Sequence, residues 1–145
     1  MNTSVTRVLE SLNSTSESTL MNTLSIEYTD VGEDYLVATM PVTPAHHQPM
    51  GILHGGATAA LAESVGSAAS GLYLAQRGQG QEAVGLELSI NHIRSVQSGL
   101  LTARAEAIHR GRSTHLWQIY IRDSHQRNVA IAKLTMMVIA PRKTS

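Results

Sequence analysis

Cysteine and phenylalanine are absent from this chain, and tryptophan occurs once. Without cysteine there is no disulfide framework, no thiolate nucleophile and no cysteine-based zinc site. With one Trp and four Tyr as the whole aromatic content, the core has to rest on Leu, Ile, Val, Met and many Ala. That set suits closely packed elements and a subunit interface. Net charge is missing too, since eleven bases balance eleven acids. A pI near 7 and the lack of a basic stripe interleaved with aromatics argue against a nucleic-acid partner. The opening Met1-Asn2-Thr3-Ser4-Val5-Thr6-Arg7 lacks the charged-then-apolar build of a secretory signal. The longest apolar-leaning stretch, residues 57–75, carries Glu63, Ser64, Ser67, Ser70 and two glycines, so no membrane span is expected. A cytoplasmic protein is the expectation that remains.

At 145 residues with 42% apolar content, the chain is long enough for one domain with a real core, taken as 1–145. The balanced charge hides a segregation. Up to Glu63 there are seven acids and one base, Arg7; from Ser64 onward there are four acids and ten bases. Either a solvated surface or a basic rim for a small polyanion, such as the phosphates of a nucleotide-bearing thioester, would account for it.

Periodicity supplies the elements. Residues 6–13 read as a short amphipathic helix, and 14–22 as a capped turn or second short helix. Residues 24–28 alternate like a strand, 30–34 read as an acidic turn, and 35–42 as a second strand closed by Pro41 and Pro44. A loop over 43–53 leads into the one long helix, roughly 55–74. After a glycine-rich turn at 77–80 come strands over 84–96, 101–107, 115–123 and 128–140. Two strands, a long helix and four strands joined by short loops fit an antiparallel sheet wrapped on one helix. The fold class expected is α+β.

Glu63 is the only charged residue between Asp34 and Arg77. It sits in a run of small residues behind His54-Gly55-Gly56, and a lone carboxylate on a helix built for burial is costly unless it has a partner or a task. The glycine pair leaves backbone N–H groups bare at a helix N-terminus, where an oxygen carrying negative charge can dock. A carboxylate and an oxyanion hole are what thioester cleavage needs, because a thiolate leaves without a strong acid to protonate it. Glu63 and Ser67, four apart, share a helix face and can touch.

The run Gln48-Pro49-Met50-Gly51-Ile52-Leu53-His54-Gly55-Gly56, followed by Glu63 and Ser67, resembles the hotdog-fold thioesterases. It is most similar to their 4-hydroxybenzoyl-CoA thioesterase branch, which includes enterobactin-proofreading and menaquinone-pathway enzymes. Val84-Gly85-Leu86-Glu87-Leu88, Asn91-His92-Ile93-Arg94-Ser95 and His109-Arg110-Gly111-Arg112 extend the match. The resemblance implies a hotdog fold, an antiparallel sheet of about five to six strands around one long central helix. It also implies a homodimer or dimer of dimers (a homotetramer) with sites at the dimer interface. Glu63 would be nucleophile or general base. Gly55 N–H, with Gln48 nearby, would polarise the carbonyl, and His54 and Ser67 would position water, carboxylate or thiolate. The loop Arg110, Gly111, Arg112, Ser113, Thr114, with His92, Arg94 and Ser95 nearby, would hold CoA. The substrate would be an aryl- or medium-size acyl-CoA, or the thioester of an acyl-carrier protein, with no cofactor beyond the CoA of the substrate.

Duller readings stand beside these. Glu63 could be a buried acid bonded to Ser67 or a histidine, His54 a plain helix cap, and 110–114 a hairpin turn with solvated arginines. His46, His47 and His54 lie close in sequence, but no His-Glu-x-x-His pair accompanies them and no metal centre is expected. No Gly-x-Ser-x-Gly elbow supports a serine triad. A hydratase or dehydratase acting on enoyl thioesters, or a non-catalytic acyl-CoA-binding protein, are the alternative functions.

Overall fold

The computed structural model describes residues 2–143. Helix α1 spans Thr3–Thr15 and the single turn α2 spans Leu20–Thr23. Strands β1 (Glu27–Val31) and β2 (Tyr35–Val42) precede a 3-10 turn at Pro44–His46 and the long helix α3 (Gly55–Arg77). Strands β3 (Glu82–His92), β4 (Gly99–Arg110), β5 (Thr114–Arg122) and β6 (Asn128–Ile139) complete the chain. All pairings are antiparallel, in the order β1-β2-β4-β5-β6-β3. This is the sheet around one long helix that the resemblance implies.

The strands alternate because one face is dry. In β5, His115, Trp117, Ile119 and Ile121 are buried while the residues between them are half-exposed, the period of two expected of a sheet covered on one side. Leu61, Val65 and Ala69 of α3 lie on that face. Gly66 sets the spacing: a Cβ there would stand 2.6 Å from Leu134 Cδ2 and 3.3 Å from Ile119 Cδ1. The helix therefore rides closer to the sheet than an alanine would allow. Tyr28 ties β1 to the helix, its buried hydroxyl donating to the Ser64 carbonyl at 3.2 Å, and burial pushes that phenol well above its ordinary pKa.

Several boundaries differ from expectation: α1 and β4 run longer than 6–13 and 101–107, and β3 ends at His92 instead of running to 96. The alternation at 24–28 is not a strand start: Leu24 caps α2 and Ser25 has φ +58°, so β1 begins at Glu27. It then runs through Asp30 and Val31, which pair with Val37 and Leu36, and the acidic turn shrinks accordingly. Helix α3 continues past 74 to Arg77, where Gly78 at φ +66° caps it; glycine takes that left-handed conformation without a Cβ clash.

The two sheet edges differ. At β1, Tyr28 N–H donates to Asn13 Oδ1 at 2.8 Å and the Asn13 amide donates to Tyr28 O at 3.0 Å. Helix α1 thus occupies that edge. Strand β3 forms the other edge, eleven residues long and mostly exposed. Among the described residues no helix is long and apolar enough to cross a membrane.

Candidate active site

The mouth of α3 is built by the turn before it. Gln48 N–H donates to Ile52 O at 2.8 Å and Gly51, at φ +75°, donates to Gln48 O at 2.9 Å. The Gln48 side-chain oxygen accepts the Met50 N–H, which leaves its NH2 group free to donate. Two of the clustered histidines are structural. His46 Nε2 lies 2.6 Å from Leu24 O and its Nδ1 2.9 Å from Thr43 Oγ1, and His47 Nε2 lies 2.8 Å from Gln97 O. His54 is the helix cap of the duller reading, its Nδ1 accepting from Gly56 N–H at 2.8 Å. The Gly55 N–H next to it has no acceptor among the described residues. The His92 ring stands beside it, Nε2 being 3.1 Å from where a Gly55 Cβ would lie. A bare amide and an imidazole nitrogen therefore converge at this helix end.

Glu63 departs from expectation. It is exposed, and among the described residues it has no hydrogen-bond or ion-pair partner, so it is not a buried structural acid. Its pairing with Ser67 is absent, because the Ser67 hydroxyl points to Met136 Sδ at 3.7 Å. Instead the carboxylate leans against Gly85 of β3, occupying the space a Cβ there would need. A bulge at Leu86, between the pairs Gly85–Met136 and Glu87–Thr135, bends the strand at this point, as bulges beside functional groups do.

Within one chain these parts do not meet. Eight residues of α-helix separate Glu63 from Gly55, about 12 Å along the axis at ~1.5 Å per residue, too far to act on one carbonyl. The expected CoA cradle is divided as well. His92 lies at the α3 N-terminus, with Arg94 and Ser95 exposed just beyond it. The 110–114 loop lies at the other end, sharing a cavity of about 310 Å³ with Tyr73, Leu74 and Arg77. It is a hairpin turn: Gly111 N–H donates to Thr114 O at 2.9 Å and Val138 N–H to Ser113 O at 2.9 Å. The Gly111 amide is thus engaged within the turn. Arg110 donates to Glu33 O at 2.9 Å and lies 4.5 Å over the Tyr73 ring. Arg112, Ser113 and Thr114 are exposed.

One buried polar cluster was not anticipated. Ser70 Oγ accepts from Trp117 Nε1 at 2.7 Å and lies 2.9 Å from His115 Nδ1, while His115 Nε2 has no partner. Burial, then the nearby Arg110 and His109 charges, push His115 below its ordinary pKa. Position 115 begins an alternating strand, so its inward face followed from the period; its tie to Ser70, forty-five residues away, had no local trace.

A family model described as the thioesterase superfamily matches residues 50–130. The proofreading thioesterase EntH of Cronobacter turicensis is 47% identical over 131 residues, covering 90% of this chain and 93% of that protein. The 1,4-dihydroxy-2-naphthoyl-CoA hydrolase of Escherichia coli is 40% identical over 131 residues, covering 90% and 94%. The crystal structure of thioesterase HI1161 from Haemophilus influenzae superposes with a TM-score of 0.88 at 42% identity, covering 93% and 92%.

Proposed function

The chain belongs to the thioesterase superfamily, an enzyme family of hotdog fold, and from that premise we propose that it hydrolyses aryl- or medium-size acyl-CoA thioesters to free acid and CoA. The observation that carries the reading is Glu63, a carboxylate without a partner seated on an unpaired edge strand, in a chain whose Gly55 amide is also bare. One relative is named a 1,4-dihydroxy-2-naphthoyl-CoA hydrolase and another a proofreading thioesterase, and the free arginines at 94 and 112 suit CoA phosphates. An acyl-carrier protein offers the same thioester on another carrier. The lack of cysteine suits the cytoplasm.

The separation of Glu63 from Gly55 points to two subunits. Gly85 flanks Glu63 and His92 flanks Gly55, so β3 runs beside α3 in the opposite direction. Antiparallel pairing of β3 with a second β3 centred on Ser89, with the bulge at Leu86 taking up one residue, would set Gly85 of one chain opposite His92 of the partner subunit. Glu63 would then face Gly55 of the partner subunit, and Arg112 would approach Arg94 of the partner subunit. The same pairing would reunite both divided sets.

In such a site the thioester oxygen takes hydrogen bonds from the Gly55 amide, with Gln48 donating beside it. Glu63 either attacks the carbonyl carbon or removes a proton from the water that does. The tetrahedral oxyanion is held by the amides and the C–S bond breaks to release the thiolate. If water attacked, the acid is formed in that step; if Glu63 attacked, water then hydrolyses the acyl-Glu63 anhydride to free acid and carboxylate. His54 caps the helix beside this site, and Ser67 would join it only by turning its hydroxyl away from Met136 Sδ. A panel of CoA thioesters assayed for released thiol tests the reading. Glu63→Gln should lower kcat by at least ~10²-fold with folding intact; near-normal turnover in that folded variant would remove the proposal.

A further inference from the structure

A second cavity lies on the flank of α3 that faces away from Glu63. Ala69, Leu72, Tyr73 and Gln76, spaced i, i+3, i+4, i+7, form one stripe of the helix, and all four line it. Leu72 is nine residues from Glu63, two and a half turns at ~3.6 residues per turn, and so on the opposite side. The cavity encloses about 350 Å³, within the range of small-molecule sites. Its apolar walls are Val5 and Val8 of α1, Val31 of β1, Ala69 and Leu72 of α3, and Trp117.

One cation stands at its lip. The Arg110 guanidinium uses one donor on Glu33 O and stacks on Tyr73, which leaves four of its five N–H donors. Among the described residues the ion pairs join Arg104 to Glu106, Arg127 to Asp123 and Arg142 to Glu82; Arg110 has no carboxylate within salt-bridge distance. Its orientation is fixed by the carbonyl and the ring, so a carboxylate would meet donors already in place. The Glu33 carboxylate also borders the cavity and is the one group that opposes an anion there.

We propose that this cavity is an accessory site for a small apolar monocarboxylate, its aryl or alkyl body against Val8, Leu72 and Trp117 and its carboxylate on Arg110. Neither Glu63 nor Gly55 takes part, and Arg110, which the resemblance implies for CoA, is here held by Glu33 O and the Tyr73 ring.

Trp117 is the only tryptophan of the chain and lies in the wall, so its fluorescence reports occupancy. Titration of the full chain with 3-phenylpropanoate should change Trp117 emission saturably, and the neutral 3-phenylpropanamide should bind at least about tenfold more weakly. Gln76→Glu, an exposed change that adds a like charge beside the carboxylate, should weaken the acid roughly fivefold. Val8→Phe, which fills the cavity without adding a tryptophan, should abolish the response, while both variants keep thiol release. Glu33→Gln should tighten binding. No saturable change with millimolar acid would overturn the proposal. So would equal binding of acid and amide, or a response unaltered in Gln76→Glu and Val8→Phe.

Discussion

Replacing Gly85 with alanine tests whether the seat of Glu63 is its working position. The new methyl would fall on the space held by Glu63 Oε1, and the far end of a flexible side chain yields before strand backbone does. To restore ordinary van der Waals contact the carboxylate must retreat by about 1 Å, a misplacement that can cost ~10²-fold in rate. The fold should not suffer: Gly85 has no positive φ, and alanine removes the entropic weakness of glycine in a strand. The expected result is a kcat for released thiol lowered about 10²-fold, with KM near that of the parent and an unchanged or slightly raised melting temperature. Sedimentation at the assay concentration separates this from a loss of association. A folded, normally associated Gly85→Ala protein with parental kcat would refute the reasoning, because the carboxylate would then be working from somewhere else.

Other perturbations read other parts. Arg112→Ala should raise KM for CoA esters and leave a CoA-free thioester analogue nearly unaffected; equal losses on both would deny it a phosphate contact. Ser89→Lys would set two ammonium groups near each other at the proposed β3 seam, at a cost of up to ~1 kcal/mol, so thiol release should fall faster on dilution than in the parent. His115 binds its proton more weakly folded than unfolded. Its stability contribution is therefore complete above the unfolded value of about 6.5 and is lost as pH falls from there toward the lower folded value. The slope reaches at most ~1.4 kcal/mol per pH unit, and urea midpoints at descending pH should show it in the parent but not in His115→Leu.

Much of the fold could be read where burial alone sets the pattern. The bounds of Tyr35–Val42 are legible because Leu36, Ala38, Met40 and Val42 alternate against the core and Pro44 follows the run. Leu24 misled because its spacing to Ile26 and Tyr28 mimics a strand, while the chain there turns at Ser25 with positive φ. Glu63, Gly55 and Gln48 stand as candidates by residue type alone. The partnership of Glu63 with Ser67 could not be tested by spacing, since the rotamer that turns Ser67 toward Met136 depends on a strand sixty-nine residues away. The division of the site along α3 was equally hidden. It depends on which strand lies against which turn of the helix, a relation that periodicity does not carry.

The asymmetry of the sheet margins limits how this protein can grow. A ribbon sticky on both sides could recruit copies without end, the geometry of a fibre. Here Asn13 occupies the Tyr28 backbone groups on one margin, so under the proposed β3 pairing a second copy would leave no open margin along that direction. Asn13 would then act as a terminator, and Asn13→Ala would leave the Tyr28 N–H and carbonyl of that margin without their side-chain partner.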